Sequence, residues 1–172
     1  MSITSQEICG RTQKQDQSIN QFIQWGDHLS VGHSEIDAQH KEIYEFGAEI
    51  YKSWREGVRV GELRMAADKL FGLLRAHFVY EERLLAGIRY GDLKQHVAEH
   101  RSMLKELQDM REHFETIGDD DDSPGGSVLS PNWSVMRFIL GFSLGHVMTS
   151  DMRYSQSLMA SSKEAKPAEG GA

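Results

Sequence analysis

Cysteine is nearly absent from this 172-residue chain, and the single thiol, Cys9, lies in a polar N-terminal stretch. An intrachain disulfide is therefore excluded, as is a metal site built on four thiolates. Basic charge is also in deficit, with 19 Lys and Arg against 26 Asp and Glu and a formal net charge of -7. That balance argues against nucleic acid or a membrane surface as partner. Four of the negative charges form one run, Asp119, Asp120, Asp121 and Asp122, which leaves the rest of the chain only mildly acidic. No apolar run spans a bilayer: residues 133–148 come nearest and are interrupted by Arg137 and His146. Residues 1–21 lack the apolar stretch of a secretory signal, so a cytoplasmic location is expected.

Proline, with three residues, and glycine cluster at a few points: Gly57 and Gly61, Gly87 and Gly91, and residues 118–131. These breaks divide the middle of the chain into four long segments. Each segment has apolar residues at spacings of three and four, which predicts amphipathic helices. The first stripe is Ile36, His40, Ile43, Gly47, Ile50 and Trp54. The second is Leu63, Ala66, Leu70, Leu74, His77, Glu81 and Leu84. The third is Leu93, His96, His100, Met103, Leu107, Met110 and Phe114, and the fourth is Val135, Ile139, Phe142 and His146. The expected fold is all-α, an antiparallel up-down-up-down four-helix bundle with an N-terminal arm. The domain is placed at residues 21–160, with a disordered or extended lead at 1–20, an acidic linker at 118–131 and a disordered tail at 161–172. The linker does not match a calcium loop, because Pro124 stands where that loop needs glycine.

Polar residues on the apolar stripes carry the functional signal. His40, His77, Glu81, His96, His100 and His146 all fall on faces that should enter the core, where unpaired burial costs several kcal/mol in total. One such histidine is explained by a hydrogen bond to a carbonyl. Five on four helices, with the i, i+4 pairs His77/Glu81 and His96/His100, call for a shared partner. Asp151 follows His146 by five residues, which turns it roughly 140° away on an ideal α-helix. Either it approaches from the side or the helix widens locally, as helices do at functional sites. Imidazoles with carboxylates and no thiolate suit iron, zinc, copper or nickel, and seven ligands suit two metals. His28, His33 and His113 fit no ligand position and are expected on the surface.

These residues resemble the hemerythrin family, in particular its single-domain bacterial members. The resemblance rests on Trp25, on Ser30-Val31-Gly32 and Ile36-Asp37-Ala38-Gln39-His40, and on His77-Phe78-Val79-Tyr80-Glu81-Glu82. It continues through His96-Val97-Ala98-Glu99-His100 to His146 and Asp151. It implies two iron ions with a bridging oxo or hydroxo group. One iron is implied to be held by His96, His100 and His146 and the other by His40 and His77, with Glu81 and Asp151 bridging. Dioxygen is then implied to bind reversibly at the iron with two imidazoles, for transport, delivery or storage, without enzymatic turnover. Sensing of oxygen or nitric oxide, and oxidase or peroxidase chemistry, are the alternatives at the same centre. The oxygen pocket is expected to be lined by Ile43, Phe78, Phe142, Val147 and Thr149. Residues 141–151 are unusually small and polar for a core helix, with Gly141, Ser143, Gly145 and Thr149; the expected compensation is a close backbone approach or a ligand channel. A monomer is expected, with any protein partner unspecified.

Rival readings fit less of the chain. A ferritin-like di-iron carboxylate site needs Glu-x-x-His pairs, for which Asp37-x-x-His40 is a near miss. A zinc protease matches His96-Val97-Ala98-Glu99-His100 but leaves the other five core polar residues without purpose. Cys9 has no histidine beside it to activate it as a nucleophile.

Overall fold

The computed structural model describes residues 24–56, 59–116 and 131–164. Among these residues the chain is entirely helical, without strands. Helix α1 spans Ser34–Glu56, α2 spans Val60–Gly87 and α3 spans Leu93–Thr116. The fourth segment begins as α4 (Pro131–Leu140), widens into a π-helix over Gly141–Asp151 and returns to α5 (Met152–Glu164). The lead at 1–20 and nearly all of the linker lie outside the described residues. Pro131 already opens α4, at the first helical position, where its missing N–H has no partner to lose. Helix α5 reaches Glu164, four residues into the stretch expected as tail; residues 165–172 lie outside the description.

The start of α1 is set by three short-range contacts. Asp37 accepts hydrogen bonds from Ser30 Oγ (2.7 Å) and the Val31 N–H (2.8 Å). It therefore ties down the preceding segment and takes no part in the polar layer. Gly32 has φ +80°, a left-handed conformation that side chains disfavour. His33 is half-buried, and its Nδ1 lies 3.4 Å from the Ile36 N–H at the helix N-terminus, so its placement is that of a cap. His28 and His113 are exposed, as expected.

Two apolar clusters are separated by the polar layer. The larger includes Ile43, Leu70, Leu74, Phe78, Leu107, Phe138, Phe142 and Val147. The smaller holds Val31, Ile36, Leu85, Tyr154 and Leu158, with Leu93 packed against it. Along α1 the order is Ile36, His40, Ile43, from small cluster to large. Along α2 it is Leu74, His77 and Glu81, Leu85, the reverse. It reverses again in α3, from Leu93 through His96 and His100 to Leu107. The fourth segment runs from Phe142 through His146 and Asp151 to Tyr154 and Leu158.

On α2 the buried face differs from the expected one at two places: Ala67 and Leu85 are fully buried where Ala66 and Leu84 were expected. The expected positions average 3.5 residues per turn, and shifting these two by one residue brings the stripe to about 3.7, nearer the 3.6 of a straight helix. Gly47 permits a close approach of α1 to α4, since a Cβ there would sit 3.0 Å from Ile139 Cγ2. Trp54 side-chain packing lies outside the description.

Candidate metal centre

His40, His77, Glu81, His96, His100, His146 and Asp151 are each at most 3 % exposed and lie in one layer. Helix α1 contributes His40, α2 His77 and Glu81, α3 His96 and His100, and the π-helix His146 and Asp151. Nε2 atoms face one another across the layer, His40 to His77 at 3.1 Å and His100 to His146 at 3.0 Å. Ligand atoms of Glu81, His96, His100, His146 and Asp151 fall within 4.8 Å of one another, and so do those of His40, His77, Glu81 and Asp151. Both groups contain the two carboxylates.

Asp151 divides its oxygens between the groups, with Oδ2 3.2 Å from His40 Nε2 and Oδ1 3.1 Å from His146 Nε2. The π-helix makes this reach: with i to i+5 hydrogen bonding, residues five apart return to one side. Of the two expected ways for Asp151 to join His146, local widening is the one observed, extended over 11 residues. Three side chains bond backbone carbonyls along or beside it: Tyr44 to Ser143 O (3.3 Å), Thr149 to Gly145 O and Arg153 to Thr149 O (3.1 Å). Glu81 presents Oε2 to His100 (3.0 Å), His96 (3.2 Å) and His77 (3.7 Å), while Oε1 accepts a hydrogen bond from the buried Tyr154 hydroxyl.

The electrostatics follow from this crowding. Burial, reinforced by neighbouring His40, pushes the His77 imidazole down to about 3, so it is neutral. Burial also lowers His146. For His96 burial is the largest single influence and lowers the value, but the hydrogen bond to Glu81 and the nearby charges of Glu81, Asp151 and Glu99 together outweigh it and the net shift is upward. Burial would raise the Glu81 carboxyl, yet hydrogen bonds from His100 and His96 hold it well below the usual carboxylate range. Tyr154 is raised by burial and by Asp151 and Glu81, which keeps its proton on the hydroxyl.

A cation fits this donor set. Among the described residues neither Asp151 oxygen has a hydrogen-bond partner, and His40 Nδ1 has none either, although all three atoms are buried. A carboxylate left so in a protein interior is costly unless it meets positive charge. Imidazole tautomers also agree. His77 Nδ1 lies 3.1 Å from Gln39 Oε1 and His100 Nδ1 lies 2.9 Å from Glu82 Oε1, acceptors that place the proton on Nδ1 and leave Nε2 as a lone pair facing inward. Sequence reasoning gave Gln39, Glu82 and Glu99 no role beyond family matching. Their partners stand on other helices, so only the imidazoles' need for outer acceptors pointed to them.

The expected pocket residues separate into two sets. Ile43, Phe78, Phe142 and Val147 are buried. Phe78 stacks on His100 with centroids 3.8 Å apart, and Phe142 stands edge-on to His40 and His77 at 6.2 and 6.5 Å. Thr149 instead is exposed, on the outer face of the π-helix, so it does not line the buried layer. Among the described residues nothing lies within 4 Å of where a Cβ on Gly141 or Gly145 would sit, so no close backbone approach from them compensates these glycines. With Thr149 they border an open groove of about 520 Å³ whose wall includes His146, Phe142 and Glu99.

Residues 31–154 match the family model of the hemerythrin HHE cation binding domain. The chain belongs to the hemerythrin family. Its similarity to named hemerythrins is distant: it is 26 % identical over 82 residues to the bacteriohemerythrin of Campylobacter jejuni serotype O:6, covering 48 % of this chain and 62 % of that protein. Bacteriohemerythrins of C. jejuni serotypes O:2 and O:23/36 match to the same extent. The match thus spans less than two thirds of those relatives' length. Membership in the hemerythrin family and the His/Glu/Asp layer together suit a metal site, and no described helix is long and apolar enough to cross a membrane.

Proposed function

We propose that this chain binds dioxygen reversibly at a non-haem di-iron centre, for transport, delivery or storage and without turnover. The observation that carries the reading is the division of one buried layer into a three-imidazole and a two-imidazole group that share Glu81 and Asp151. His96, His100 and His146 would hold one iron and His40 and His77 the other, with an oxo or hydroxo group between them. When bound, iron supplies the electrons that dioxygen takes up. The protein's own contribution is to present neutral Nε2 lone pairs, to bridge through Asp151 and Glu81, and to keep water out with Ile43, Phe78, Phe142 and Val147. The alternating order of the two apolar clusters along successive helices supports an up-down-up-down bundle around this layer. A monomeric, cytoplasmic protein belongs to the same reading, since the exposed large apolar side chains Met65, Val79, Tyr80, Met148 and Met159 are spread over three elements.

Elemental analysis combined with visible spectra under cycles of air and argon tests the proposal. Two irons per chain and an absorption band that comes and goes with air are expected. Zinc without colour would refute it. The groove beside His146 favours a second reading, oxidase or peroxidase chemistry on a further substrate. A band that forms once and decays, with steady consumption of an added phenol and peroxide, would identify that activity. Decay without such consumption, on exposure to oxygen or nitric oxide, is the outcome expected of a sensor.

A further inference from the structure

Behind the two imidazole groups stand outer residues of opposite character. His100 Nδ1 meets the Glu82 carboxylate at 2.9 Å, and His146 Nδ1 lies 3.6 Å from Glu99 Oε2, a charge contact too long for a hydrogen bond. On the other side His77 Nδ1 meets the amide oxygen of Gln39 at 3.1 Å, and His40 Nδ1 meets no partner among the described residues. Both Gln39 and Glu99 belong to i, i+4 Gln/Glu pairs, written in opposite order relative to the centre. On α1 the Gln39 amide nitrogen donates to Glu35 (2.9 Å), so the amide is inside and the carboxylate outside. On α3 the Gln95 amide nitrogen donates to Glu99 (3.1 Å), so the carboxylate is inside and the amide outside. Ser150 Oγ fixes Glu99 further, through a 2.5 Å bond to the oxygen nearest His146.

A carboxylate behind an imidazole draws its Nδ1 proton and enriches Nε2, and it adds a negative charge a few ångströms beyond the metal. A neutral amide orients the ring without adding charge. We propose that this inverted Gln/Glu arrangement makes the two metal positions unequal beyond the difference in imidazole count. The centre then fills in order, the three-imidazole position first. Gln39 on one side, and Glu99 with Glu82 on the other, are the positioning residues that set the gap. The inference rests on the two-metal reading above.

The test is a titration of metal-free protein with Co(II) under argon, followed by calorimetry and by the visible ligand-field bands, which report coordination without redox chemistry. The wild-type chain should bind two Co(II) in two resolved steps. Removal of an outer partner typically changes affinity by about 10–100-fold, so Glu82→Gln should weaken the first step by that factor. The double variant Glu35→Gln/Gln39→Glu keeps the net charge and the hydrogen-bonded pair but turns the carboxylate inward. It should tighten the second step by about tenfold or more and bring the two steps together, a gain that local damage does not produce. Two equal sites in the wild type, or a second step that the double variant leaves unchanged or weakens, would overturn the proposal while leaving the two-metal reading intact. Fewer than two Co(II) in the wild type would remove that reading and this inference with it. If the double variant fails to fold, by circular dichroism, Glu82→Gln decides: an unaltered first step overturns the proposal.

Discussion

Glu81 and Tyr154 show how one buried contact divides into metal binding and stability. Glu81 Oε2 faces three imidazoles while Oε1 accepts the Tyr154 hydroxyl, so the two oxygens have separate tasks. Glu81→Ala removes the group common to both halves of the centre and should leave fewer than two irons per chain by elemental analysis; full loading would dismiss Glu81 as a shared ligand. Tyr154→Phe leaves Oε2 in place but orphans Oε1, and an unsatisfied buried acceptor costs about 1–3 kcal/mol. Thermal unfolding should therefore show a lower Tm with two irons retained. Six of the seven inward residues were legible in the sequence because a charged or imidazole side chain on an apolar stripe is conspicuous at helical spacing, and Asp151 only through the resemblance, since it lies off the stripe of an ideal helix. Glu82 and Gln39 were not, because each lies beside a ligand on its own helix but serves an imidazole on another. Only the packing of α1 on α2 and of α2 on α3 creates those pairs.

Helix ends and irregularities belong to the next scale, and there the sequence was less informative. The break between the second and third helices was marked by Gly87 and Gly91, yet the left-handed residue is Arg89, at φ +56°. Around it the Tyr90 N–H bonds to Leu85 O (2.9 Å) and the Arg89 N–H to Ala86 O (3.1 Å), which closes α2 in a Schellman motif. Tyr90 packs in the same cluster as Leu85, so the turn is fixed by that apolar contact even without glycine. A left-handed side chain costs about 1–2 kcal/mol, and glycine returns roughly half of that as unfolded-state entropy. Arg89→Gly should accordingly stabilise the protein by about 0.5–1 kcal/mol, read as a rise in Tm with iron content unchanged; a fall would mean that the arginine side chain holds the turn. The π-helix was half legible. The five-residue step from His146 to Asp151 announced that something had to give, but a widening over 11 residues depends on carbonyl partners such as Tyr44, 99 positions away in sequence.

For the molecule as a whole, the polar layer is both the reason to bind metal and a weakness without it. In the metal-free protein His77 is held down to about 3 and His146 is lowered, both chiefly by burial. The unfolded chain protonates these rings near pH 6.5 while the folded one resists, so below that pH the unfolded state binds more protons and stability falls with acid. Glu81, held well below 4.5, adds a loss of the same sign as pH drops further. His96 opposes them: its raised value contributes stability below 6.5 that is lost as pH rises through it. Below 6.5 His96 is protonated in both states and adds no slope, while His77 alone leaves one net proton, about 1.4 kcal/mol per pH unit, and His146 adds to the same loss. From pH 6.5 to 5.0 the metal-free chain should lose roughly 2 kcal/mol or more, about 4–8 °C in Tm. Loaded protein should start from a higher Tm at pH 7.5, because a ligand of the folded state alone stabilises it, and should fall more steeply as protons displace metal from Nε2. Paired unfolding scans of chelator-treated and iron-loaded protein across that range measure both slopes. A metal-free Tm that holds steady or climbs toward pH 5 would mean that the buried imidazoles find protons as readily in the folded state as in the unfolded one, against the burial that defines this layer.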